Sequence, residues 1–351
     1  MRTVTLLVFL WSVLAGCKTE SSSPQSPLDF FARTEQSLRQ RLIKARLQAV
    51  DSLNLSAFEL YEPSQLCQSD QYLFVFERNL GKIAVFGKDL RGHPFFIGKG
   101  RGEGPGEVTG ISDMDVHHGR IYLFSSARLV VWSIADTLVL DKKIGIEAYR
   151  GEVVDEHRLL ILSPTSPAYL FNIIDLEGKV VRGFASTNLG KVMPLCYSGD
   201  LAFDGRYFYY AGESEPFIKK YTLEGRQLFS VATIDNLPSE GNYVQFEADG
   251  ESMAMGYSPW ALFSTAMIEV YDAYLLVVPI HDEHRKRLSY LDVYATQDGR
   301  YLATYDLARM PMALAVDDNG IYTLEREGGD VYLKRYPNVL TALAQDQRST
   351  P

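Results

Sequence analysis

The chain has 351 residues, of which 46% are hydrophobic and 12% aromatic, and its formal net charge at pH 7 is −9. This composition is sufficient for a large core, and the abundance of Tyr and Phe favours β structure. The acidic balance argues against non-specific nucleic-acid binding, which requires Lys and Arg to neutralise phosphates. We therefore expect a β-rich globular protein with no nucleic-acid partner.

The N-terminus predicts a bacterial lipoprotein signal peptide over residues 1–16. Arg2 precedes an almost unbroken apolar run from Val4 to Val13, which is too short to span a bilayer as a helix. The following Leu14-Ala15-Gly16-Cys17 resembles a lipobox, in which the chain is cut before the cysteine and its thiol is lipidated. An ordinary secretory signal is the alternative. We expect a lipid on Cys17 to anchor the protein in the bacterial cell envelope, on the outer membrane and facing either the periplasm or the outside.

The next two segments are predicted to be a tether and a helix. Residues 17–27 are rich in Ser and Pro and indicate a flexible tether. Residues 28–54 carry apolar side chains at three- and four-residue steps, which predicts one amphipathic helix with a basic bias. This helix would pack on the main domain, or serve as a membrane-surface or partner-docking element. Its apolar positions are Phe31, Leu38, Leu42, Ala45, Ala49 and Leu53.

Residues 55–340 repeat one signature six times: a short apolar run, an Asp/Gly-type turn, and a strand rich in Tyr, Leu and Val. The repeats open near residues 65, 111, 149, 196, 264 and 310, and this spacing fits a four-stranded blade. We predict an all-β, six-bladed β-propeller with four-stranded antiparallel blades. Ile234 to Ser264 is an insertion between the fourth and fifth blades, and Ala57 to Tyr61 is expected to complete the sixth blade. Residues 341–351 are expected to be a C-terminal tail.

A glycine-rich linker joins the first two repeats and suggests a family. Gly98 to Val108 has the form Gly-x-Gly-x-Gly-Pro-Gly-Glu followed by an apolar residue, and the strand Ile111 to Val116 comes next. In this linker, in the preceding strand Lys82 to Phe86 and in the lipobox, the chain resembles the NHL-like six-bladed β-propeller lipoproteins of bacteria. The resemblance implies the fold and an exported location, but no particular substrate or reaction.

The same glycines do not predict a phosphate-binding loop, because no Gly-Lys-Ser/Thr ends the run and no helix is expected after it. We interpret them as residues that let the chain turn and approach a neighbouring backbone closely. Cys67 and Cys196 occupy similar places in the first and fourth repeats, which face each other across a six-bladed ring. Their separation should exceed the reach of a disulfide, so we expect two free, mostly buried thiols.

The first strand of each blade lines the channel of a propeller, so acidic residues on these strands are candidates for a site. Such a set could hold Ca²⁺, which takes several oxygen ligands. No particular Glu/Asn/Asp set of the kind that propeller hydrolases use stands out, and these acids are also expected in salt bridges and turn caps. His281 and His284 lack a third zinc ligand nearby, and no Gly-x-Ser-x-Gly elbow is present. The candidate channel or ligand-binding residues are Asp113, Asp115, His117, Glu152, Asp200 and Glu269.

The insertion supplies a second candidate surface. Tyr243, Phe246, Tyr257 and Trp260 could stack on a sugar or grip a peptide, or they could cover the face of the propeller. The sequence favours a non-enzymatic binding or scaffold module with a protein or glycan ligand and no cofactor. One alternative is a hydrolase or lyase that depends on Ca²⁺ or Zn²⁺ in the channel. Another is a structural subunit of an envelope complex that docks through the N-terminal helix.

Overall fold

The computed structural model describes residues 30–38, 40–187, 194–240, 242–248, 252–282 and 284–348, which form a six-bladed β-propeller with four-stranded antiparallel blades, as predicted. The first three blades consist of β3–β6, β7–β9 and β10–β13, and the last three contain β14–β17, β20–β23 and β24–β26. The strands are β1 (Ile43–Arg46), β2 (Asp51–Asn54), β3 (Pro63–Gln68), β4 (Tyr72–Glu77), β5 (Lys82–Gly87), β6 (Phe95–Ile97), β7 (Asp113–His117), β8 (Arg120–Ser133), β9 (Leu138–Ala148), β10 (Arg150–Val153), β11 (Arg158–Leu162), β12 (Tyr169–Asp175), β13 (Val180–Ser186), β14 (Gly199–Phe203), β15 (Tyr207–Gly212), β16 (Phe217–Thr222), β17 (Gln227–Ala232), β18 (Tyr243–Ala248), β19 (Ser252–Tyr257), β20 (Thr265–Tyr271), β21 (Tyr274–Pro279), β22 (Tyr290–Ala295), β23 (Tyr301–Asp306), β24 (Ala313–Asp317), β25 (Gly320–Glu327) and β26 (Asp330–Tyr336).

The second blade reaches four strands because the long strand β8 supplies two arms. Its first arm pairs with β7 through Ile121↔Val116, and its second arm pairs with β9 through Val131↔Leu140. The amide of Ile134 donates to the carbonyl of Gly119, so the two arms lie side by side.

The N-terminal segment closes the ring. β2 pairs antiparallel with β26, from Asp51↔Arg335 to Asn54↔Tyr332, and forms the outer strand of the sixth blade. The prediction that Ala57–Tyr61 would do this is wrong by a few residues. The Asn54 side chain instead caps a 3-10 turn, Leu55–Phe58, and Glu59 then adopts a left-handed conformation that directs the chain into β3.

The predicted helix over residues 28–54 is wrong for the described part of that segment, 30–38 and 40–54, which we call the strap. The strap is largely extended: Thr34 bridges to Val231 on β17, β1 runs parallel to β23, and β2 pairs with β26. Its backbone groups therefore find partners on the outer edges of the fourth, fifth and sixth blades rather than within a helix. The predicted apolar stripe does not form one buried face. Phe31 and Leu53 are half-buried against the core, whereas the remaining positions, Leu38, Leu42, Ala45 and Ala49, are exposed.

The core lies between neighbouring blades, where the apolar faces of adjacent sheets meet. Aromatic packing is densest between the third and fourth blades. The ring centroids of Phe171 and Phe208 are 5.1 Å apart, and the Phe208 ring stacks on that of Tyr221. The only α-helix of four or more residues in the described ranges, α1 (Leu340–Arg348), follows the last blade. Its Leu340 and Leu343 pack into the core of blades five and six, where a tail was expected.

The ring has two distinct faces. The insertion face carries the starts of the inner strands, the connections between blades and the β18–β19 hairpin of the insertion. The turn face carries the Asp/Gly turns that follow the inner strands. The glycine linker lies on the insertion face, where a Cβ atom on Gly81 would come within 2.5 Å of the backbone nitrogen of Arg101. The glycines thus permit two backbones to touch, as expected. None of the helices in the described ranges is long and apolar enough to cross a membrane.

Candidate functional site

The inner strands of all six blades surround a central cavity of about 270 Å³. Side chains on alternate residues of a strand point to the same side, which places the acids of β7, β10, β14 and β20 along this cavity. Five of the six predicted channel residues line it. They are Asp113, Asp115, Glu152, Asp200 and Glu269.

Three of these carboxylates bind backbone amides of a neighbouring blade. Asp113 Oδ2 accepts from the amide of Gly151 at 2.9 Å, and Asp115 Oδ2 accepts from that of Val153 at 2.7 Å, both on β10. Asp200 Oδ2 accepts from the amide of Ile268 on β20 at 2.9 Å. The acids therefore hold inner strands together, because their carboxyl oxygens accept from amides that the sheet leaves unpaired.

Arg150 is a channel residue that the sequence reasoning missed. Its Nε donates to Asp200 Oδ1 at 2.7 Å, and its Nη1 donates to the carbonyl of Ser112 at 3.1 Å, so it bridges blades two, three and four. The guanidinium also lies 4.8 Å from the centroid of the Tyr149 ring. Its position two residues before Glu152 on a strand was the available signal, since both side chains then face the same side.

Glu152 and Glu269 differ from the other three acids because neither makes a hydrogen bond or ion pair with a described residue. Burial raises the pKa of each carboxyl well above its usual value, and the neighbouring carboxylates raise it further. Burial likewise raises the pKa of Asp113 to about 7, against the opposing effect of Arg150. The channel therefore favours the protonated forms of Glu152 and Glu269 more than water does.

The channel donors do not fit a metal ion. In the ranges that the structure describes, no group of three His, Cys, Asp or Glu side chains is placed to hold one. His117 ends β7 at the turn face, where its ring centroid lies 4.1 Å from that of His118, and it does not line the cavity. His281 lies on the insertion face, and its Nδ1 accepts from the amide of Phe263 at 3.2 Å.

Cys67 and Cys196, the cysteines among the described residues, form no disulfide with each other, and they do not occupy equivalent positions. Cys67 lies on inner strand β3, whereas Cys196 lies in the 3-10 turn Pro194–Tyr197 before β14. The Cys67 thiol donates to the carbonyl of Met114 at 2.6 Å. Burial raises its pKa, and the negative charge of Asp115 adds to this effect, so the thiol is a weak nucleophile at neutral pH.

The insertion is held to its face by tyrosines. Tyr243 donates to Glu215 Oε1 at 3.2 Å, and Tyr257 donates to Glu213 Oε2, which also accepts from Tyr149 at 3.1 Å. Two of the aromatic residues predicted as ligand contacts, Tyr243 and Tyr257, thus attach the hairpin to the fourth blade. The side chain of the third, Phe246, is not among those that the structure describes. Trp260 is different, because 70% of its surface is exposed.

Known structures share the architecture of this chain at low sequence identity. The WD40 domain of Neurospora crassa Pan2 has a TM-score of 0.50 at 10% identity, over 85% of this chain and 98% of that one. Selenomethionine-substituted virginiamycin B lyase from Staphylococcus aureus has a TM-score of 0.48 at 11% identity, over 81% and 98%. BamB from Moraxella catarrhalis has 0.44 at 11% identity, over 78% and 85%.

No protein-family model matches the chain, and no curated protein sequence matches it. The comparison with the Pan2 WD40 domain supports the β-propeller fold alone.

Proposed function

We propose that this protein is an exported, non-enzymatic binding module of the bacterial cell envelope, anchored by a lipid on Cys17, whose ligand is a protein. The lipobox supports the anchor, although Cys17 lies outside the described residues. The glycine linker and the lipobox support a relationship to the NHL-like lipoproteins.

The observation that carries the proposal is the structural use of the channel acids. Asp113, Asp115 and Asp200 bind backbone amides of the next blade, and Asp200 also pairs with Arg150. These groups are committed to holding the ring together, and the described residues offer no set of metal ligands. The channel acids are therefore better suited to joining neighbouring blades than to a metal-dependent hydrolase or lyase reaction.

The outer edges of the ring provide the binding surface. The strap covers the outer strands of blades four to six, whereas β6, β9 and β13 pair only with the inner neighbour of their own blade within the described ranges. Unpaired edge strands recruit extended segments of other chains. These three strands also present exposed apolar side chains, a feature of interaction surfaces. The side chains are Phe95, Phe96, Val139, Val180 and Val181.

The expected partner is an extended protein segment that adds to β13. The molecule itself shows that its outer edges accept a strand in either direction, because β1 adds parallel to β23 and β2 adds antiparallel to β26. Exposed Lys179 and Arg182 flank the two valines of β13 and favour an acidic segment. A glycan ligand is less well supported, since Tyr243 and Tyr257 are engaged in attaching the hairpin.

Two exposed valines make a matched test. Val181 on β13 is 58% exposed, and Val50 on the strap is 56% exposed. We would cross-link the full-length protein in envelope membranes and compare Val181→Glu with Val50→Glu by quantitative mass spectrometry. A partner that is lost with Val181→Glu and retained with Val50→Glu is the expected result, because the added carboxylate on β13 would repel an acidic segment. Equal recovery with both variants would refute binding at this edge.

A further inference from the structure

The insertion face carries an exposed aromatic and basic surface, the Trp260 patch, defined as Trp260 and His284–Arg287. Trp260 is 70% exposed, and the guanidinium of Arg285 lies 5.6 Å from its ring centroid. Arg285 also donates to the carbonyl of Trp260, which fixes the two loops to each other. All five residues of the patch are exposed.

The local backbone directs the positive charges of the patch outward. Asp282 Oδ1 accepts from the amides of His284 and Lys286, each at 2.9 Å, so its carboxylate caps the loop from within. Arg285 adopts a left-handed conformation at the tip of this turn. Arg285, Lys286 and Arg287 thereby form a concentrated positive charge on a chain whose net charge is −9. Glu283, in the same run, lies outside the described residues.

The strap begins on the same face as the patch. The ring of Phe30 lies 5.3 Å from Tyr197, before β14, and 5.8 Å from Phe217, at the start of β16. Arg33 Nε then donates to Asn236 Oδ1 at 3.2 Å, in the connection that leads to the insertion. Residues 18–29 would therefore link a lipid on Cys17 to this face. Twelve residues span at most about 40 Å when fully extended, so the lipid would keep the insertion face close to the bilayer.

We propose that the Trp260 patch docks the insertion face on an anionic bilayer, with the indole of Trp260 among the lipid headgroups. This inference rests on the proposed lipid anchor. Trp favours the membrane interface, because its ring is apolar and its N–H is polar. Lys and Arg near an anionic surface each strengthen the attraction roughly five-fold. The Trp260 patch would bind a bilayer only weakly by itself, but the lipid anchor would hold it at a high effective concentration near the membrane.

The protein contains its own reference fluorophore for a test. Once residues 1–16 are removed, its tryptophans are Trp260 and Trp132, and Trp132 is only 3% exposed. We would place the lipidated protein on vesicles with brominated acyl chains, made of phosphatidylcholine alone or mixed with phosphatidylglycerol, and measure the tryptophan emission. The emission of Trp260 is the difference between the parent and Trp260→Phe. We expect it to fall at least roughly two-fold on the anionic vesicles only.

A charge-reversal variant separates the patch from the anchor. The triple variant Arg285→Glu, Lys286→Glu, Arg287→Glu should lose the quenching of Trp260 while it still floats with vesicles through its lipid. The matched control reverses three exposed cations at turns on the opposite face of the ring, and it should keep the quenching. These control substitutions are Arg91→Glu, Arg120→Glu and Arg226→Glu.

The possible failures can be distinguished. If the parent protein floats no better than Cys17→Ser, the proposed anchor is refuted, and with it the basis of the docking. If the parent floats but Trp260 is not quenched, or is quenched equally on neutral vesicles, the docking proposal is overturned and the anchor stands. Cross-linking of the patch to an acidic envelope protein, with no quenching of Trp260, would likewise overturn it in favour of a protein contact.

Discussion

Replacing Arg41 with Met should destabilise the protein through the strap. The Arg41 side chain is 10% exposed and pairs with Asp292, which is 1% exposed, at 2.9 Å, and with Asp235. Its guanidinium also lies 5.3 Å from the ring centroid of Tyr290. Removing the cation leaves Asp292 buried without its counter-ion, which costs about 3–5 kcal/mol. At about 1.4 °C per kcal/mol for a chain of this length, the melting temperature should fall by roughly 4–7 °C.

The assay is thermal and urea unfolding, followed by circular dichroism, with two control variants. Arg46 lies on the same strap, is 61% exposed and stands 3.8 Å from Asp306, so Arg46→Met should change stability by less than about 0.5 kcal/mol. Adding Asp292→Asn to Arg41→Met should recover part of the loss, because it removes the unpaired charge. A loss below about 1 kcal/mol for Arg41→Met, or no recovery in the double variant, would contradict the buried ion pair as the clamp of the strap.

Three further predictions follow from the channel and the linker. Because burial raises the pKa of Asp113 to about 7, the folded protein binds more protons than the unfolded chain between about pH 4 and pH 7. The free energy of unfolding should therefore fall by about 2–4 kcal/mol as the pH rises through this window. Asp113→Asn should flatten the profile of melting temperature against pH. A variant profile that runs parallel to that of the parent would show that other groups cause the pH dependence. Gly81→Ala should destabilise the folded protein by at least about 3 kcal/mol, because the new Cβ would meet the backbone of Arg101. Gly205→Ala is the control, since Gly205 has open space around it, and it should cost about 1 kcal/mol. Similar urea midpoints for the two variants would be inconsistent with close backbone contact at Gly81. Chelation, or addition of Ca²⁺ or Zn²⁺, should leave the melting temperature unchanged, and a shift of several degrees with a stoichiometric ion in elemental analysis would restore the metal-dependent hypothesis.

The repeated strand pattern was sufficient to predict the blades, because hairpin turns and alternating apolar residues are local signals. The observed inner strands begin at Pro63, Asp113, Arg150, Gly199, Thr265 and Ala313, close to the predicted openings. The strap could not be predicted in this way. Its apolar spacing fits a helix, but its conformation is set by partners more than 180 residues away in the sequence, such as Val231 and Thr304. Tertiary pairing thus overrides the local period.

The site shows the same division between local and distant information. The expectation that the first strand of each blade lines the channel identified five acids that do line it, yet it did not reveal that Asp113 and Asp115 would accept amides of β10. That use depends on the register between blades, which no local pattern encodes. His117 was also a candidate, but it is the last residue of β7 and does not line the cavity.

Ring closure determines which edges remain open. The outer strand of the sixth blade, β2, lies immediately before the first blade in the sequence, so the residues before β2 must arrive from the rim of the ring. They do so across the fifth and fourth blades, and the strap therefore covers β23 and β17, whereas no described strand pairs with the outer edges of β6, β9 and β13. These open edges point sideways, whereas the Trp260 patch lies on the insertion face. Partner binding and bilayer docking would therefore use different surfaces, and Val181→Glu should impair the first without affecting the quenching of Trp260 on anionic vesicles.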